Sequence, residues 1–316
     1  MKKFIDRLID KIKEKKSHVV VGLDPDYDNL PKPLKDIANN LAGIGEAIFE
    51  FNRNIIDMVY DLVPAIKPQI AFYERYGIEG IMSFLKTVQY GKEKGLIVIE
   101  DAKRNDIGST ATAYSDGHIG RINVFNQKIP IFDVDAITIN PYLGSDGILP
   151  FIKDVQNYQK GIFVLVKTSN NSSVEIQDIN VILNEQTYKL YEVIAKLVNK
   201  WGENNIGIYG YSSIGAVVGA TFPTVAKVLR KIMSNTYFLV PGYGAQGGTA
   251  RDIIESFNKD GFGSLINASR SINFAYKHNR KFNDYQFADA AREAVIKMNK
   301  EINNELEKNN LLNWQL

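Results

Sequence analysis

Short apolar runs rich in β-branched residues recur along the chain, separated by longer stretches whose apolar positions repeat at helical spacing. The runs H-V-V-V-G-L-D (18–24), V-P-A-I-K-P-Q (63–69), L-I-V-I-E-D-A-K (96–103), A-I-T-I-N-P (136–141) and G-I-F-V-L-V-K-T-S (161–169) read as five strands. A sixth region offers I-G-I-Y-G (206–210) or G-A-V-V-G-A-T (215–221); Y-F-L-V-P-G (237–242) and S-L-I-N-A-S (264–269) bring the count to eight. Helical patterns lie between them, for example over 44–59 and 224–233. Strands that are apolar along their whole length, alternating with helices, indicate a parallel sheet covered on its faces. No Pro/Gly/Ser-rich linker interrupts the alternation. The expected fold is therefore α/β, with residues 1–316 forming one (β/α)8 TIM barrel domain. Residues 1–16, with Phe4, Ile5, Leu8, Ile9 and Ile12 at helical spacing, predict an amphipathic helix packed on that fold. Residues 284–316 predict a C-terminal helical extension, and 170–200 further helix-like material.

Composition narrows the chemistry. Hydrophobic residues at 45% and charged ones at 23% are ordinary for a globular protein. Lys+Arg of 38 against Asp+Glu of 36 is too balanced for a protein that binds nucleic acid by neutralising phosphates. Without cysteine there is no disulfide, thiol nucleophile or thiolate metal site, and three histidines make a histidine-rich metal site improbable. No apolar run approaches the roughly 20 residues of a membrane span. Asp6, Asp10 and Glu14 among the N-terminal lysines do not suit a transit peptide, so a cytoplasmic protein is expected.

Polar residues mark the strand ends. Asp24 closes the first run, Lys67 the second, Asp101 and Lys103 the third, Asn140 the fourth and Thr168 with Ser169 the fifth; Pro241 and Gly242 close the seventh, Ser269 and Arg270 the eighth. In a parallel barrel all these carboxyl ends share one rim, where active sites of this fold lie. Any one of them could be an ordinary strand end meeting water. Asp101 and Lys103 are two apart, so an extended strand would project both to one side, with Asp106 in the loop beyond. Desolvated singly, either charge would be costly; together each keeps the other ionised. A purely structural ion pair would show the same spacing.

Two glycine-bearing turns, P-G-Y-G-A-Q-G-G-T (241–249) and N-A-S-R-S-I (267–272), suggest a phosphate grip: glycines bring backbone N–H groups close to an anion, a following helix adds its positive end, and Arg270 offers a forked charge. The 242–248 turn is a natural mobile lid. K-T-S-N-N-S-S (167–173) can read a polar ring edge or cap a helix. Asp24-Pro25-Asp26 reads as a turn ahead of a metal site. Neither a G-x-S-x-G elbow nor a Walker-type loop is present.

The run V-I-E-D-A-K-R-N-D-I-G-S-T closely resembles the signature of the orotidine 5′-phosphate decarboxylase family, which makes UMP in pyrimidine biosynthesis. V-G-L-D-P at 21–25, A-I-K-P-Q at 65–69, N-P-Y-L-G at 140–144, L-V-K-T-S-N at 165–170, P-G-Y-G-A-Q-G-G at 241–248 and S-R-S-I at 269–272 are similar, in order, to its longer-chain branch. The resemblance implies a cofactor-free and metal-free lyase that decarboxylates orotidine 5′-phosphate. It implies that Lys103 donates the proton to C6 and that Asp101 sits by the departing carboxylate between Lys67 and Lys103. Asp24 and Lys67 would contact the ribose, and Thr168 or Ser169 the pyrimidine. Gln246 and Arg270 would hold the phosphate, with Asn140 and Gly242 also at the substrate. Asp106 and Thr110 would cross the interface of a homodimer to complete the partner's site. Ser269 stands where shorter members often have Gly, which puts the backbone contacts of that turn in question. Related sugar-phosphate enzymes share D-x-K-x-x-D but use Mg²⁺; the T-S-N and A-Q-G-G segments favour the pyrimidine enzyme. A catalytically silent nucleotide-binding protein is the reading from another class.

Overall fold

Each apolar run becomes a buried strand because its side chains face either the barrel interior or the helices outside. A computed structural model describes residues 2–314. Its barrel strands are β1 Val19–Leu23, β2 Ala65–Pro68, β3 Ile97–Arg104, β4 Ala136–Ile139, β5 Gly161–Lys167, β6 Ser212–Val218, β7 Thr236–Val240 and β8 Ser264–Ala268. Neighbours in sequence are neighbours in the sheet and β8 returns to β1, giving a closed eight-stranded parallel barrel. β1, β2, β4, β6, β7 and β8 are buried at every position. Only β3 changes character along its length, buried through Glu100 and increasingly open from Asp101.

The chain's contacts gather into two compact units. Lys103–Ile266, with parts of both termini, forms one; Asp10–Ala102 and Asn267–Asn303 form the other. In the first, the N-terminal helix Phe4–Lys15 sets the Phe4 ring edge-on to Phe163 with centroids 6.1 Å apart. The five apolar residues of that helix are essentially inaccessible, as its spacing predicts; burying each contributes about 1.5–3 kcal/mol before entropy. In the same unit Arg230 lies buried against the Phe238 ring, 3.5 Å from its centroid, and donates to the carbonyls of Ser256, Met233, Thr236 and Gly263. Burial pushes this guanidinium down to about 10.

In the second unit, helix Leu41–Val59 starts where Asn40 accepts the Gly43 N–H, a side-chain cap. The C-terminal helix Phe287–Lys308 stacks Phe287 on Phe51 at 5.3 Å, and Arg292 forks onto Asp61. No described helix is long and apolar enough to cross a membrane.

The structure corrects several local expectations. The sixth strand runs through Ser212–Val218, beginning between the two candidate segments and overlapping only the second. Residues 206–210 form a turn closed by Gly207 N–H to Tyr211 C=O at 2.7 Å. The stretch 170–200 is not all helix: an antiparallel hairpin, Asn180–Leu183 with Gln186–Lys189, precedes helix Leu190–Gly202. Its two turn residues, Asn184 and Glu185, both have positive φ (48° and 64°), the twist that tight hairpins favour. A second hairpin, Ile122–Val124 with Gln127–Ile129, turns the same way through Phe125 and Asn126. The C-terminal extension stops being helical at Lys308, where Asn310 (φ 56°) takes a left-handed cap conformation. Residues 1, 315 and 316 of the expected terminal segments lie outside the described residues.

Candidate active site

Strand ends β1, β2 and β3 supply a charged group in one unit. Lys67 Nζ donates to Asp101 Oδ2 at 2.9 Å, and the two side chains are only 4% and 14% exposed. Burial alone would lower the pKa of such a lysine, but the charges of Asp101 and Asp24 outweigh that effect and raise it. The ammonium is therefore held. The Asp101 backbone is fixed by Ile70, whose N–H reaches the Asp101 carbonyl at 3.3 Å.

The turn after β8 closes directly on β1. A Cβ on Gly22 would meet Ser269 Oγ at 1.9 Å, so glycine at 22 makes room for that serine. Four residues beyond Ser269, buried Asn273 donates from Nδ2 to the Gly22 carbonyl at 2.6 Å and accepts the Asp24 N–H at 3.3 Å. Helix Arg270–Asn273 thus carries an exposed Arg270 at one end and a clamp on the Asp24 backbone at the other.

The other unit holds the rest. Lys103 is exposed, its N–H donates to Thr138 Oγ1 at 3.0 Å, and its φ is +50°. Asp106, half-buried, accepts the Ile107 N–H at 2.7 Å, just before helix Gly108–His118 that carries exposed Thr110. Asn140 donates its N–H to the Arg104 carbonyl and accepts the Tyr142 N–H at 3.0 Å. The Thr168 hydroxyl accepts from Gln177 Nε2 at 2.8 Å and donates to Asn170 Oδ1 at 2.7 Å. Ser169 and Gln246 flank Gly242: a Cβ there would lie 3.2 Å from Ser169 Cβ and 3.2 Å from Gln246 Oε1. Gly242 has φ +101°, which a side chain would strain.

Two readings of the site change. Alternation of side chains does not extend through Lys103, because a left-handed backbone is not a strand conformation; the same-side argument for Asp101 and Lys103 ends before residue 103. No long helix follows either glycine turn: Ile254–Ser256 is a single 3-10 turn and Arg270–Asn273 four residues, so a phosphate there would depend on Arg270 and backbone N–H groups. The 242–248 turn closes on itself, Gly248 N–H to Gly242 C=O at 3.1 Å and Gly244 N–H to Gly248 C=O at 2.8 Å. Asp26 pairs with Arg75 and Asn29 in a turn. Among the described residues no group of three or more His, Asp or Glu is placed to hold a metal.

Asn273, Gln177 and Lys167 escaped the sequence reading. Lys167, fully buried, donates to Asp178 at 2.8 Å and to Ser173 at 3.0 Å. A lysine ending an apolar run, as Lys67 does, was the available signal. Asn273 had none, since its partners lie about 250 residues away.

A closed parallel barrel with ionisable side chains at its strand ends defines the class of β/α-barrel proteins that do their chemistry at the carboxyl rim. Residues 17–285 match the model of the Orotidine 5'-phosphate decarboxylase / HUMPS family. The chain is 46% identical over 286 residues to an orotidine 5'-phosphate decarboxylase from Caldicellulosiruptor saccharolyticus, covering 88% of this chain and 92% of that one. It is 44% identical over 301 residues to one from Petrotoga mobilis, covering 95% and 98%. The crystal structure of a putative orotidine-monophosphate-decarboxylase from Toxoplasma gondii superposes with TM-score 0.74 at 32% identity, covering 95% of this chain and 97% of that one. The chain belongs to the orotidine 5'-phosphate decarboxylase / HUMPS family.

Proposed function

We propose that this protein converts orotidine 5′-phosphate to UMP and CO₂ in pyrimidine biosynthesis, using neither metal nor cofactor. The observation that carries this reading is the buried Lys67–Asp101 pair with Lys103 two residues further along β3. When the C6–carboxyl bond breaks, its electron pair stays on C6 in the plane of the ring, where no carbonyl can delocalise it. A positioned ammonium is the remaining stabiliser, and it works best where water is excluded. Lys103 supplies that charge and then its proton to C6, and its neutral amine recovers a proton from solvent. Asp101, held by Lys67, faces the departing carboxylate; Asp24 and Lys67 bind the ribose.

The base is read by Ser169 in preference to Thr168, whose hydroxyl is already engaged at both its proton and a lone pair. Gln246, Gly242 and Arg270 hold the phosphate, and closure of the glycine turn lets that remote binding energy serve the transition state. Asn140 supports the rim from the end of β4. A cytoplasmic, single-domain protomer works as a homodimer in which Asp106 and Thr110 complete the partner's site. Exposed Ile107, Tyr142 and Leu143, at 53%, 81% and 46%, supply apolar surface for such an interface. The test is a spectrophotometric assay of orotidine 5′-phosphate consumption with a chelator present. Activity should be undiminished; activity that needs added Mg²⁺ would return the chain to the sugar-phosphate branch.

A further inference from the structure

We propose that Gln177 is a specificity-determining positioning residue, which occupies Thr168 so that Ser169 alone presents a hydroxyl to the pyrimidine; this rests on the base-reading role given to Ser169 above. Thr168 and Ser169 stand side by side at the end of β5, and both carry a hydroxyl. Two free hydroxyls would offer a ring edge two competing donors in different places. Gln177 removes the ambiguity. Its Oε1 accepts the Thr168 N–H at 3.0 Å, and its Nε2 donates to Thr168 Oγ1 at 2.8 Å. The single hydroxyl proton of Thr168 goes to Asn170 Oδ1 at 2.7 Å. A hydroxyl has one proton and two lone pairs, so Thr168 has nothing left to donate.

Ser169 is the contrast. Its side-chain hydroxyl makes no hydrogen bond to the described residues, and its Cβ lies beside Gly242. Its carbonyl accepts from Thr221 Oγ1 at 3.3 Å, which steadies the backbone and leaves the hydroxyl open.

The brace is itself anchored. Asp178, next to Gln177, accepts from Lys167 Nζ at 2.8 Å; that cation is fully buried, bonds Ser173 at 3.0 Å and lies 4.4 Å from the Phe222 ring centroid. Lys189 Nζ holds the Asp178 carbonyl at 2.9 Å from the far side of the hairpin. A buried charge with one carboxylate partner gives the loop little freedom, because moving Asp178 away would leave Lys167 uncompensated. The loop after β5 thus folds back to pin the carboxamide of Gln177 onto Thr168.

The experiment compares UMP, which carries the base, with ribose 5-phosphate, which lacks it. Gln177→Ala should weaken UMP binding on the order of 10-fold, the size of one or two lost hydrogen bonds, and leave ribose 5-phosphate binding within about 2-fold. Its KM should rise more than its kcat falls. Gln177→Met, which keeps the volume and removes both polar atoms, should behave alike and covers the case in which the alanine variant folds poorly. Ser169→Ala should show the same selective loss, and the double variant should lose less than the product of the two singles. Equal weakening of both ligands by the Gln177 variants, or no weakening, overturns the proposal while leaving Ser169 as the reader. A silent Ser169→Ala overturns the base-reading assignment and the proposal with it.

Discussion

Lys67 Nζ and Asp101 Oδ2 meet at 2.9 Å across the ends of β2 and β3, almost wholly removed from water. Breaking a buried pair by removing one partner typically costs about 3–5 kcal/mol, because the survivor stays charged and uncompensated. Lys67→Met should therefore destabilise the protein by about that amount in chemical denaturation, and lose most activity. A raised folded-state pKa means that the stabilising contribution of Lys67 is complete below its unfolded value, about 10.4, and disappears as pH rises through the folded value. The stability gap between wild type and Lys67→Met should stay level from pH 6 to 9 and narrow only in stronger alkali. A gap that closes near neutrality would show that the lysine is not held as an ammonium.

Lys103→Ala should reduce kcat by at least about 10³-fold, since in the proposed reaction one group serves as both charge and proton donor. UMP affinity should change little, because the cation matters most when charge appears on C6. Single-turnover kinetics together with equilibrium binding of UMP checks both halves.

Arg270 and Asn273 share one four-residue helix, so their variants make a matched pair. Arg270→Ala should lower kcat/KM by roughly 10–100-fold, the range of charge-assisted hydrogen bonds. Asn273→Ala contacts no phosphate, yet frees the Gly22 carbonyl and the Asp24 N–H; it should weaken ribose 5-phosphate and UMP alike and lower the melting temperature. Unchanged affinity in Asn273→Ala would detach that residue from the placing of Asp24.

On the proposed homodimer with its shared site, mixing Asp106→Ala subunits with Lys103→Ala subunits should restore activity that neither variant has alone, since one site of each heterodimer would be whole. Recovery is checked after refolding the two together and isolating the heterodimer with distinct affinity tags. A confirmed heterodimer with no activity would place Asp106 in its own subunit's site.

Eight strands were legible because parallel barrel strands are apolar on both faces, and the composition of runs such as A-I-T-I at 136–139 states that directly. The sixth was blurred because Ser212 and Ser213 are buried polar residues, and Ser212 bonds the Gly202 carbonyl. The hairpins were missed because Phe125-Asn126 and Asn184-Glu185 make tight turns without the glycine that usually announces them. The charged strand ends could be listed from sequence, but not what each touches. Asn273 reaching Gly22, and Gln177 covering Thr168, are products of the closed fold and leave no local pattern.

The left-handed backbone at Lys103 carries a cost in stability. A side chain in that conformation forfeits on the order of 1 kcal/mol, and a domain's whole margin of stability is only about 5–15 kcal/mol. Glycine would relax the bend and remove the ammonium that the proposed reaction uses, so on that reading heat tolerance and turnover make opposite demands on one position. A 316-residue barrel can tolerate that discomfort, together with a desolvated ion pair, where a peptide bearing the same few groups would unravel.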